Sequence, residues 1–121
     1  MATTLHVCKT CRAGQPVAEG QACPGAQLYA TLTEALLPDG VQIRAVECLS
    51  ACDHGCAIAL TKSGGWSYVY GRMTDADSSE ILRGAALFAG TSDGLVPWRD
   101  RPVIFRKQCL ARLPPIESQD V

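Results

Sequence analysis

The chain has 121 residues, with 47% hydrophobic and 19% charged residues and a formal net charge of −1. That length suits one small domain, and the apolar fraction excludes wholesale disorder. The near-zero charge removes the usual electrostatic case for nucleic acid, and no apolar run reaches the roughly 18 residues of a membrane span.

The start, Met1-Ala2-Thr3-Thr4-Leu5-His6-Val7, lacks the basic and apolar regions of a secretory signal, so a cytoplasmic protein is expected. Thr3, Leu5 and Val7 alternate with Thr4 and His6, which predicts a strand ending at Cys8. Residues 9–23 hold Gly14, Pro16 and Gly20 and read as a loop. Pro24 then opens a helix with Leu28, Leu32, Ala35 and Leu36 on one face, ended by Pro38-Asp39-Gly40. Val41, Ile43 and Ala45 predict a second strand, which runs into Cys48-Leu49-Ser50-Ala51-Cys52-Asp53-His54-Gly55-Cys56. Residues 57–61 and 66–70 predict an antiparallel hairpin across Lys62-Ser63-Gly64-Gly65. Asp77-Ser78-Ser79-Glu80 has the form of a capping box. A second helix follows, with Ile81, Leu82, Ala85, Phe88 and Ala89 inward and Gly90 as its stop.

The order βαβββα predicts an α/β domain over residues 1–90 with a four-stranded mixed sheet. Strands one and two are parallel, because a helical crossover joins them. This arrangement has a thioredoxin-like shape. Residues 91–121, with Pro97, Pro102, Pro114 and Pro115, read as a C-terminal extension. It holds a short helix near 102–110.

The seven cysteines stand out: Cys8, Cys11, Cys23, Cys48, Cys52, Cys56 and Cys109. In a reducing compartment, clustered thiols point to metal or redox chemistry more than to disulfides. Two groups follow strand ends, Cys8-Lys9-Thr10-Cys11 and Cys48-x3-Cys52-x3-Cys56. Parallel neighbouring strands would bring both groups to one sheet edge, about 5 Å apart strand to strand. Four thiolates serve an iron–sulfur cluster, and zinc accepts the same set. Because the chain can build a sheet and two helices without metal, an active cluster is favoured over a structural zinc site. Ser50, Ala51 and Gly55 are small enough for backbone N–H groups to approach bridging sulfides. A thioredoxin-type dithiol at Cys8-x2-Cys11 would need a helix after the first thiol, and Arg12-Ala13-Gly14-Gln15-Pro16 starts one poorly.

These residues carry a resemblance. The paired cysteines after strand one and Cys48-Leu49-x-x-Cys52 resemble the thioredoxin-like two-iron ferredoxins and the related small subunit of respiratory NADH dehydrogenases. Cys8-Lys9-Thr10-Cys11-Arg12, Cys48 to Cys56, Trp66 to Gly71 and Asp93 to Arg99 together resemble an uncharacterised bacterial family of predicted metal-binding proteins, domain of unknown function 1636. That similarity runs to about Pro115. The ferredoxin resemblance implies a [2Fe–2S] electron carrier, not an enzyme, that serves redox partner proteins and can form a homodimer. Cys8, Cys48 and Cys52 match the ferredoxin ligand pattern. The fourth ligand is Cys11 by the spacing of the family of unknown function, or Cys23 by the wider ferredoxin spacing. The favoured set is Cys8, Cys11, Cys48 and Cys52, with Cys23 and Cys56 as substitutes.

Other features have plainer readings. Cys109 is a core or surface thiol, His54 a polar loop residue and His6 a solvent-facing strand residue. Trp66, Tyr68 and Tyr70 form a period-two packing stripe. Residues 99–112 carry Arg99, Arg101, Arg106, Lys107 and Arg112 against Asp100 alone. That run is a solvated face or a dock for an acidic partner.

Overall fold

Alternating inward residues give the first strand its register. Thr3, Leu5 and Val7 of β1 (Thr3–Cys8) are buried, while Thr4 and His6 are half-buried on the opposite face. The computed structural model describes residues 3–9, 20, 22–47 and 55–115. After β1 come α1 (Pro24–Glu34), β2 (Val41–Val46), β3 (Ile58–Lys62), β4 (Ser67–Tyr70), α2 (Ser78–Ala89), α3 (Val103–Lys107) and β5 (Cys109–Leu113). The five strands form one mixed sheet in the order β2-β1-β3-β4-β5. β1 and β2 are parallel, as a helical crossover requires, and the other three pairings are antiparallel.

Leu28 and Leu32 of α1 and Ile81, Leu82, Ala85 and Phe88 of α2 join Leu5, Val7, Ile58 and Leu60 in one core cluster. Both helices therefore cover the same face of the sheet. The aromatic stripe packs as predicted. Tyr68 and Tyr70 are buried and stacked, with centroids 5.9 Å apart, and Phe105 of α3 stacks on Tyr70 at 4.1 Å.

Four expectations need correction. The sheet has five strands and not four, because Cys109–Leu113 of the extension pairs antiparallel with β4. All five residues of β5 are exposed, so no apolar alternation marks the strand in the sequence. The first helix ends at Glu34, earlier than Pro38-Asp39-Gly40 suggests, and Leu36 is 96% exposed instead of packed. Asp77 does not cap α2 with its side chain. Its carboxylate instead accepts the Thr74 N–H at 2.9 Å, one turn earlier, around a 3-10 turn at Asp75–Asp77. His6 is not free in solvent, since its Nε2 lies 2.9 Å from Thr61 Oγ1.

Candidate metal centre

Cys8 is the last residue of β1 and stands in register with Val46, the last residue of β2. The Lys9 N–H donates to the Val46 carbonyl at 3.0 Å, which continues the parallel ladder one step further. The chain thus leaves both strands at one edge of the sheet. From β2 it passes through Glu47 directly to Cys48. On the other flank, the Cys8 N–H donates to the Ala57 carbonyl at 3.2 Å. The segment that departs after Glu47 therefore returns beside the same cysteine. Glu47 before it and Ala57 after it both bond to Cys8.

Cys8 is 4% exposed, and its thiol faces the Glu47 carbonyl at 3.8 Å. Cys23 arrives from a third direction. It immediately precedes Pro24, the proline in the first turn of α1, and its backbone is extended, at φ −72° and ψ 163°. Its side chain does not cap the helix. The thiol instead donates to the Lys9 carbonyl at 3.0 Å, one residue past Cys8. The fold therefore brings Cys8, Cys23 and Glu47 to one edge.

Cys56 is 1% exposed within the core cluster, and its backbone exchanges hydrogen bonds with Met73 at 3.4 and 3.0 Å. Its sequence position beside Gly55 places it where the returning segment enters β3. Cys109 is remote. It is exposed at the start of β5, opposite Tyr70 and three strands from β1. Partial burial, the largest influence on it, pushes its thiol above the ordinary cysteine value. Cys11, Cys48, Cys52 and His54 lie outside the described residues. Among the described residues, no group of three or more His, Cys, Asp or Glu could hold a metal ion.

A charged pair that the sequence reading missed spans the edge. Lys9 Nζ lies 3.3 Å from Glu47 Oε1, with the two side chains 45% and 78% exposed. Such a surface pair contributes about 0–1 kcal/mol. Its significance is placement, since it links the residue after Cys8 to the residue before Cys48. The facing Cys8–Val46 register could have revealed it, because a strand pair in that register sets Lys9 beside Glu47.

The fold resembles two solved structures. One is the structure of a thioredoxin-like [2Fe–2S] ferredoxin from Aquifex aeolicus, with 16% identity, 97% of each chain covered and a TM-score of 0.58. The other is a 1.5 Å crystal structure of the wild-type thioredoxin-like [2Fe–2S] ferredoxin from Aquifex aeolicus, also with 16% identity. It covers 91% of this chain and 97% of that one, with a TM-score of 0.59. At that identity the likeness establishes the thioredoxin-like ferredoxin fold. No curated protein is significantly similar in sequence. The profile of the family described as "Protein of unknown function (DUF1636)" matches residues 5–115. The chain belongs to that family, and the matched stretch runs from the first strand through the fifth.

Proposed function

We propose that the chain holds one [2Fe–2S] cluster and carries single electrons between redox partner proteins. Cys8, Cys48 and Cys52 are three of the ligands, and the fourth comes from Cys23 or Cys11. The single observation that supports this reading is the convergence at Cys8. Its strand ends in register with β2, and the Cys23 thiol sits on the Lys9 carbonyl. The donor set suits the group, because four thiolates complete a two-iron cluster. The Cys23 contact favours Cys23 over Cys11 for the fourth place.

When bound, such a cluster supplies a one-electron couple. The chain's own residues do the rest. Cys8 is buried and shields the inner side of the edge from water. Lys9 places a cation beside a centre whose four thiolates make it anionic. The half-exposed Lys9 and exposed Glu47 leave the outer side open, as close approach by a partner requires.

The test is anaerobic purification followed by visible absorption before and after dithionite. The proposal predicts a red-brown protein that bleaches on reduction. A colourless protein carrying stoichiometric zinc would overturn it in favour of a zinc-binding module.

A further inference from the structure

The basic run noted in the sequence folds into a groove. Arg83 of α2, Arg99 of the 3-10 turn at Trp98–Asp100, Arg101 just beyond it and Arg106 of α3 line one open groove of about 390 Å³. Asp100 is the one carboxylate on its wall. Glu80 engages Arg83 at 3.0 and 3.2 Å. Glu80 thus answers Arg83, and Arg99, Arg101 and Arg106 face the groove with Asp100 on its wall, a surplus of positive charge that an anion relieves.

Two further observations point to a ligand. The guanidinium of Arg101 is set in place, with its Nε donating to the Val96 carbonyl at 2.8 Å. It also lies over the rings of Tyr68 and Trp98, at 5.6 and 5.4 Å. A positioned guanidinium loses less freedom on binding than a mobile one. Of the buried polar atoms without a partner among the described residues, Nε of Arg106 belongs to a residue that lines this groove, whereas Oη of Tyr68 does not. Tyr68 is 3% exposed and shares with Arg101 the wall of an adjoining groove of about 410 Å³. Buried polar groups are ordinarily satisfied, so the orphaned Arg106 Nε on this arginine-lined wall is a second sign of a polar ligand.

We infer that this groove binds the phosphoryl group of a small molecule. The fork of a guanidinium matches two phosphoryl oxygens at once, and a dianion answers several arginines where a single carboxylate would not. The exposed ring of Trp98 lines the adjoining groove and meets the Arg101 that the two grooves share. The groove lies apart from the cysteine edge, on the elements that follow β4, so its occupancy does not depend on a cluster.

The experiment is titration of the full chain with inorganic pyrophosphate and with adenosine monophosphate at low ionic strength. Heat of binding and tryptophan fluorescence are followed together. Saturable binding with one site per chain is expected. Arg99→Gln and Arg106→Gln each weaken it about tenfold, the loss of one charge-assisted contact. Arg44→Gln on β2, at the far edge of the sheet, leaves it unchanged. Arg99 is exposed, so its variant keeps the fold even if the Arg106 variant does not, and near-ultraviolet circular dichroism checks both. Phosphatidylcholine vesicles doped with phosphatidic acid should sediment without the protein. The inference is overturned if neither small phosphate saturates, if Arg44→Gln weakens binding as much as Arg99→Gln, or if the chain binds the vesicles and not the free phosphates.

Discussion

The thiol of Cys23 lies 3.0 Å from the Lys9 carbonyl and makes no cap to the helix that follows it. That choice of partner ties residue 23 to the end of β1. Cys23→Ser is therefore expected to abolish visible absorption, while Cys11→Ser retains it. The opposite pattern would return the fourth ligand place to Cys11. The spacing alone did not decide between them, since Cys8-x2-Cys11 has the spacing of the family of unknown function and Cys8-x14-Cys23 comes near the wider ferredoxin spacing. The contact from Cys23 to Lys9 spans 14 residues of sequence, and no local periodicity records it. His6 makes a different prediction. Burial first, and then Arg44, lower its imidazole below 6.5. The unfolded chain takes up the proton more readily, so the stabilisation from a neutral His6 is complete above about pH 6.5. It is lost as the pH falls through the folded value. Urea unfolding at about pH 7.5 and about pH 5 should show a larger loss of stability in the wild type than in His6→Gln. Equal losses would contradict the account.

Among the elements, α2 and α3 meet through a glycine. A Cβ on Gly84 would fall inside the van der Waals shell of the Phe105 ring. Phe105 in turn stacks on Tyr70, whose neighbour on the sheet is Tyr68. Gly84→Ala should cost about 1–3 kcal/mol, read as a lower urea midpoint with an unchanged slope. A neutral result would mean that the ring moves aside freely. Elements with buried faces were legible in the sequence. β1, β2, the hairpin and α2 all carry the period of their structure. The ends of elements were less so. Glu34 ends α1 although Leu36 continues the apolar period, because that leucine has no surface to meet and is left in solvent. Asp77 reads as the cap of α2, yet Thr74 captures its carboxylate, a contest between two nearby donors that composition does not rank.

Across the whole molecule, five strands carry α1 and α2 on one face and leave the cysteine edge at the ends of β1 and β2. The parallel pairing that creates this edge was legible from the helical crossover, and with it the placing of Cys8 beside the end of β2. The fifth strand was not. It is held by backbone pairing to β4 and by the Gly71 N–H bonded to the Gln108 carbonyl at 2.9 Å, with every residue exposed. Backbone pairing of this kind leaves no pattern of apolar side chains. A chain ending at Lys107 should lose on the order of 2–4 kcal/mol, since a few net hydrogen bonds go with the strand. An unchanged melting temperature would show that β5 adds nothing. No helix among the described residues is long and apolar enough to cross a membrane. The proposed electron carrier rests on the cysteine edge being a cluster site. Counting iron and acid-labile sulfide in anaerobically purified protein tests that most directly. The account predicts two irons and two sulfides per chain. Zinc in place of iron, or iron without sulfide, would contradict it.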